Sequence, residues 1–179
     1  LEECDVKADA VIDFSFASAV DGLLAACEKK GLPVVLCTTG LSDEQLKRVE
    51  ETSRHIAILR SANMSLGVNL LLKLVQDAAK VLAEAGFDME IVEKHHRKKM
   101  DDRSTRRQAR DEKEIGISAV RGGTIVGEHD VIFAGQDETI TLSHSAYSKA
   151  VFAKGALEAA KFLAGKRPGL YSMKDVIGL

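Results

Sequence analysis

The chain has 179 residues, 45% of them apolar, 29% charged and 4% aromatic, with a formal net charge of −2. At roughly 100–200 residues per domain this allows one domain, or one and part of a second, with enough apolar surface to bury a core, which excludes disorder as the main state. No apolar run approaches the roughly 18 residues that span a bilayer, and Leu1-Glu2-Glu3-Cys4 has neither the basic nor the apolar region of a signal peptide, so the pattern predicts a soluble chain.

Val11-Ile12-Asp13-Phe14 is an apolar run of strand length. Val20, Leu23, Leu24 and Cys27 then share one helical face, closed by Gly31 and Pro33. Pro33 to Cys37 reads as a second buried strand, Thr38-Thr39-Gly40-Leu41 as a turn, and Ser42-Asp43-Glu44-Gln45 has capping-box spacing for a helix reaching Ser53. Ile56 to Leu59 makes a third strand. Strands alternating with helices predict βαβ units and a parallel sheet, with ligands beyond the carboxyl ends of its strands.

After Ser65 the texture changes. Val68, Leu71, Leu72, Val75, Ala79 and Leu82 have helical spacing up to Gly86, and Met89 to Lys94 reads as a strand. Residues 115–120, 124–133 and 139–144 follow as three strands, joined at Gly122-Gly123 and Gly135-Gln136-Asp137. With so few helix signals between them, they predict an open, antiparallel or mixed sheet. Ala150 to Ala164 is helical, ended by Gly165.

Cys4, Cys27 and Cys37 are odd in number and lack C-x-x-C spacing, which argues against a disulfide framework and a cysteine zinc site and points to a reducing cytoplasm. Charge is unevenly spread. Residues 94–110 carry a local balance of +6 and the remainder −8, so the basic stretch is the natural place to meet an anion.

The densest chemistry lies in Glu93-Lys94-His95-His96-Arg97-Lys98-Lys99-Met100-Asp101. Histidine titrates near neutrality and a nearby ammonium holds an anion or donates a proton, so His95, His96 and Lys99 suit acid–base work; a solvated basic loop is the bland alternative. Adjacent strand residues face opposite ways, so His95 and His96 should differ in role, and Glu93, His95 and His96 should not converge on a metal ion. Cys37-Thr38-Thr39-Gly40 and Ser61-Ala62-Asn63-Met64-Ser65 each follow a parallel strand, where small hydroxyls and amides suit a ribose or a nicotinamide amide or simply cap a turn. No G-x-G-x-x-G occurs. Gly122-Gly123 and Gly127-Glu128-His129 read as hairpin residues, and His144 and Lys149 lie near a strand-to-helix junction.

Six stretches, in this order, resemble the dihydrodipicolinate reductases of bacterial lysine and diaminopimelate biosynthesis: Val11-Ile12-Asp13-Phe14-Ser15, Thr38-Thr39-Gly40, Asn63 to Asn69, Glu93-x-His95-His96-x-x-Lys99-x-Asp101, Val120-Arg121-Gly122-Gly123-x-Ile125-Val126-Gly127-Glu128-His129, and Gly169-Leu170-Tyr171-x-Met173-x-Asp175-Val176. The resemblance implies a Rossmann-like parallel sheet, its first half missing here, with a second α+β domain. The dinucleotide-binding part would be 1–65 with 149–179, and the substrate-binding and oligomerisation part 66–148. It implies reduction of a cyclic imine dicarboxylate, 4-hydroxy-tetrahydrodipicolinate, by NADH or NADPH in a cytoplasmic homotetramer, without nucleic acid, membrane or metal. By the same resemblance His95 matches the catalytic acid and Lys99 a second proton donor, while His96 and Lys149 match carboxylate-holding positions. Phe14, Ser15, Cys37, Thr38, Thr39, Ser61, Ala62, Asn63 and Met64 match the nicotinamide side of the cofactor. Cys37 stands where the family usually has Gly.

Two departures are visible. The family's first strand and glycine-rich phosphate loop are absent, and Leu1 is not an initiator Met, which predicts that the natural chain starts upstream. After Asp101 the family's Pro-Ser-Gly-Thr is replaced by Asp102-Arg103-Ser104. A missing segment is the expectation there, with a Cα separation well beyond the roughly 3.8 Å of bonded neighbours; a continuous peptide would instead favour the rival, a shortened protein. Another two-domain reductase is the nearest alternative, such as an aspartate dehydrogenase or a semialdehyde dehydrogenase, but the latter needs a nucleophilic Cys in the substrate domain and every Cys precedes residue 66. A nucleic-acid-binding module would use the basic stretch, which contains no aromatic platform.

Overall fold

The computed structural model describes residues 1, 3–99 and 114–179. The Asp101–Asp102 junction, and with it the expected separation, lies outside the described residues. The chain forms two compact units: Leu1–Asn69 with Ala150–Leu179, and Leu70–Lys149.

In the first unit, β1 (Val11–Asp13), β2 (Val34–Leu36), β3 (Ala57–Arg60) and β8 (Gly169–Tyr171) make a parallel sheet in the order β1-β2-β3-β8. Helix α1 (Val20–Lys30) stops at Gly31, whose left-handed φ of 65° lets its N–H turn back onto the Cys27 and Glu28 carbonyls. Helix α2 (Asp43–Thr52) starts at the expected capping box: the Ser42 hydroxyl accepts from the Gln45 N–H, and the Gln45 side chain accepts from the Ser42 N–H.

The strands are apolar on both faces because both are covered. Val34, Leu36 and Ile58 pack with Val20, Leu24 and Cys27 of α1 and Val49 of α2. Val35, Ala57 and Leu59 pack with Ala156, Ala159 and Leu163 of α4 (Ala150–Leu163) and with Met64 and Met173. Gly155 permits the closest approach, since a Cβ there would meet the Met64 carbonyl oxygen at 1.7 Å. β8 and α5 (Met173–Ile177) have no counterpart in the sequence reading. Gly-Leu-Tyr is too short and too poor in periodicity to announce a strand, and it becomes one by pairing with β3.

Helix α3 (Leu66–Leu82) leads into the second unit, whose sheet comprises β4 (Asp88–His95), β5 (Ile115–Arg121), β6 (Gly127–Ala134) and β7 (Thr139–Ala146), ordered β5-β4-β6-β7. β4–β6 and β6–β7 are antiparallel, but β4–β5 is parallel, so the sheet is mixed. This corrects the hairpin expected at Gly122-Gly123: β5 and β6 are not neighbours but flank β4. A strand's own alternation carries no information about its partner, and the parallel pairing instead requires the long connection over residues 96–114. The glycines serve another end, with the Gly122 N–H donating to the His95 carbonyl and the Arg97 N–H to that of Gly123. Gly127, Glu128 and His129 lie inside β6, and His144 inside β7.

Cross-strand register sorts one face of this sheet into layers. Ile115, Met89, Phe133 and Ile140 form one row and Ile117, Ile91, Val131 and Leu142 the next. Then the chemistry changes: Ala119, Glu93, His129 and His144 form the third row, and Arg121 and His95 begin the fourth, toward Gly127 and Ala146.

Candidate active site

His95 is the last residue of β4 and is 8% exposed. Glu93 precedes it by two residues, so strand alternation places both on one face. The His95 Nδ1 is hydrogen-bonded to Glu93 Oε2, and the Arg121 guanidinium donates to Glu93 Oε1 from the neighbouring strand. Burial works against the charge on Glu93, but the hydrogen bonds from Arg121 and His95 outweigh it and hold the carboxyl down at about 2. An ionised carboxylate only accepts, so Nδ1 carries the proton. On the other side of the ring, the Lys99 ammonium lies 3.3 Å from Nε2. Its backbone N–H closes a turn onto the His96 carbonyl, and that turn brings the side chain back over the end of β4.

The His129 ring meets His95 edge-on, with centroids 5.1 Å apart, and His144 lies 6.2 Å beyond His129. Burial depresses the His129 pKa below the usual imidazole value, and the electrostatic influence of His95, His144 and Lys99 acts the same way. Gly127 keeps the fourth row open, because a Cβ there would stand 3.2 Å from His95 Nε2.

His95 and Lys99 are thus brought together. His96 is half-buried just past the strand end, and Lys149 is exposed immediately before α4. Lys94 points away from this group: its ammonium lies 3.2 Å from Glu128 and 3.5 Å from Asp130, which raise its pKa, so it is paired rather than available to an anion. Among the described residues no group of three His, Cys, Asp or Glu is arranged to hold a metal ion.

Sequence reasoning gives Arg121 no role, considers Glu93 only as a disfavoured metal ligand, and reads Gly127 and His129 as hairpin residues. The i, i+2 spacing of Glu93 and His95 was a readable signal. The nearness of Arg121 and His129 depends on pairing register, which no local pattern states.

The nine residues matched to a nicotinamide site follow the carboxyl ends of β1, β2 and β3, which lie level because Asp13, Leu36 and Arg60 are in register. Asp13 organises this edge. Buried at the end of β1, it accepts from the Thr38 hydroxyl at 2.5 Å and from the Ser15 N–H at 3.2 Å. Phe14, Ser15, Thr39 and Ala62 are exposed, Cys37, Ser61 and Asn63 half-buried, and Met64 is buried in the core. The Ser61 hydroxyl donates to the Asn63 carbonyl, and the Asn63 side chain accepts from the Ser65 N–H. Burial, then the Asp13 charge, pushes the Cys37 thiol up to about 12, so it is inert as a nucleophile at neutral pH. The exposed Ser15 and Thr39 hydroxyls and the half-buried Asn63 side chain thus lie along the carboxyl edge of the parallel sheet, the edge where open α/β sheets bind ligands.

None of the described helices is long and apolar enough to cross a membrane. Residues 1–64 match the family described as Dihydrodipicolinate reductase, N-terminus, and residues 67–177 match Dihydrodipicolinate reductase, C-terminus. The 4-hydroxy-tetrahydrodipicolinate reductase of Caldanaerobacter subterraneus subsp. tengcongensis is 53% identical over 202 aligned positions, covering 99% of this chain and 80% of that protein. That alignment is longer than the chain's 179 residues, so the relative carries residues without counterpart here. The enzyme of the same name from Clostridium novyi is 46% identical, over 99% of this chain and 79% of the relative. The fold matches a dipicolinate-bound dihydrodipicolinate reductase from Paenisporosarcina sp. TG-14 with a TM-score of 0.75 at 21% identity, covering 94% of this chain and 73% of that one. A parallel α/β unit, a mixed sheet and two family matches that together span nearly the whole chain lead to one conclusion: the chain belongs to the dihydrodipicolinate reductase family, NAD(P)H-dependent oxidoreductases.

Proposed function

We propose that this chain reduces 4-hydroxy-tetrahydrodipicolinate to tetrahydrodipicolinate, with His95 as the acid and Lys99 as the second proton donor. The observation that carries the residue assignment is the line Arg121–Glu93–His95–Lys99, in which Nδ1 of His95 is tied to a carboxylate and Nε2 is left toward an ammonium. NADH or NADPH supplies the hydride. The 4-hydroxyl leaves as water and one hydride and one proton add to the resulting conjugated imine, so the protein's task is to make that imine electrophilic, and protonating its ring nitrogen does so. His95 delivers that proton from Nε2. Lys99 holds substrate charge beside Nε2 and returns a proton to the ring. Once His95 is protonated, Nε2–H and the ammonium are both donors and cannot bond each other, so a basic or anionic substrate atom between them satisfies both.

His96 and Lys149 are assigned to the substrate carboxylates. Phe14, Ser15, Cys37, Thr38, Thr39, Ser61, Ala62 and Asn63 are assigned to the nicotinamide side, with Met64 contributing through its backbone because its side chain is buried among Val35, Ala57 and Leu59. The first unit serves the dinucleotide; the second serves substrate and assembly. Exposed Ile115, Ile117, Val120 and Ile140 on the second unit's sheet favour a homotetramer, which light scattering would test against a monomer. Three free cysteines suit the cytoplasm.

The test is consumption of NADH or NADPH with 4-hydroxy-tetrahydrodipicolinate generated in the assay. Turnover by the wild-type chain, with Lys99→Ala impairing both kcat and KM, is the expected result. Equal kinetics for the Lys99→Ala variant would remove Lys99 from the site.

A further inference from the structure

The Arg121–Glu93 pair lies outside the acid and donor assignments, and its geometry has a chemical consequence. Glu93 uses both carboxylate oxygens, one toward Arg121 and one toward His95 Nδ1. The Arg121 side chain is 1% exposed and that of Glu93 15%, so neither is a surface ion pair formed by chance. Among the described residues, the other groups facing the His95 ring are the Lys99 ammonium at Nε2 and the His129 ring from β6. A neutral imidazole has two tautomers, and only one of them leaves Nε2 able to accept from the Lys99 ammonium.

We infer that Glu93 and Arg121 are positioning residues that lock His95 as the Nδ1–H tautomer, so that Nε2 is the atom through which His95 passes its proton to the substrate. Arg121 acts through Glu93. A guanidinium only donates, so it holds one carboxylate oxygen and orients the other toward Nδ1–H.

Replacing Glu93 by Gln sharpens the consequence. A carboxamide has one acceptor and one donor end, and the buried guanidinium takes the acceptor. The Gln amide N–H then faces Nδ1, which must accept, and the proton moves to Nε2. The role requires His95 to be the acid proposed above, but its signature does not require substrate. Nitrogen-15 NMR of the histidine side chains, at a pH where the ring is neutral, is expected to show Nδ1–H for His95 in the wild-type chain and Nε2–H in Glu93→Gln. In the same variant kcat is expected to fall about 10²–10⁴-fold with KM changed less than about threefold, as when a catalytic histidine is held in the wrong tautomer. Adding Arg121→Leu to Glu93→Gln frees the Gln carbonyl for Nδ1 and is expected to restore the Nδ1–H signal and at least about tenfold of the lost kcat. An Nε2–H His95 in the wild-type spectrum overturns the inference whatever the variants do, and so does an unchanged tautomer in a folded Glu93→Gln variant. A correct tautomer alongside normal turnover in His95→Gln would instead overturn the catalytic reading and leave the tautomer lock standing.

Discussion

The two units bury apolar surface by different means, and the difference explains where chemistry sits. In the parallel unit β2 and the first three residues of β3 are fully buried, with helices on both faces, so every position is taken by packing. Its polar groups are confined to the strand ends, where Asp13 and Thr38 order the edge. In the mixed unit burial is confined to part of one face, and the rows beyond Val131 carry Glu93, His129 and His144 instead of aliphatic side chains. Covered sheets keep their function at the rim; a partly open sheet can hold a reactive group within a strand.

This contrast can be broken most sharply by stability. Leu59→Ala, in the doubly covered sheet, is expected to cost about 2–5 kcal/mol by urea unfolding. Ile117→Ala, 60% exposed on the mixed sheet, should stay within about 0.5 kcal/mol at concentrations where the chain is monomeric. Equal losses would erase the distinction. A loss at Ile117 that grows with protein concentration would sharpen it, by showing that a second copy covers that surface.

Close packing supplies the next effect. Gly155→Ala drives a methyl into the Met64 carbonyl and is expected to destabilise the parallel unit by about 3 kcal/mol, measured as a lowered unfolding midpoint. Gly127→Ala is the matched change beside the proposed acid. Its Cβ presses His95 Nε2 by only a few tenths of an ångström, so stability should shift by under about 1 kcal/mol while kcat falls about tenfold. Unchanged kcat would show that Nε2 has room to spare.

The smallest effect is in pH. His129 has a depressed folded-state pKa, so the unfolded chain binds its proton first, and stability should begin to fall as pH drops below about 6.5. Glu93 is also depressed, so its stabilisation is fully present above about 4.5 and is lost as pH falls toward about 2. Both act in the same direction, with His129 setting in at the higher pH. Unfolding midpoints at pH 8, 6 and 5 should fall for wild type and fall less for His129→Gln; equal falls would contradict the depressed pKa of the half-buried His129.

Much of the parallel unit was legible because its signals are local. Ser42 with Gln45, Gly31 after Lys30, and the Val34–Leu36 run each state their own structure. The mixed unit was legible as strands and as an open mixed or antiparallel sheet but not in its strand order, since the parallel partnership of β4 and β5 depends on a connection and not on either strand. The same limit applied to the site. His95 and Lys99 stood in one motif four residues apart, whereas Arg121 reaches Glu93 only through the register that sets it opposite His95. β8 was illegible because Gly169-Leu170-Tyr171 acquires its strand character from β3.

The central claim is that acid chemistry resides in the mixed sheet while the parallel unit holds the cofactor. Its most direct test is His95→Gln with two readouts on the same preparation: turnover, and NADH or NADPH affinity by cofactor fluorescence. The account predicts a loss of turnover of about 10²–10⁴-fold with cofactor affinity nearly unchanged. Near-normal turnover, or an equal collapse of cofactor binding, would contradict it.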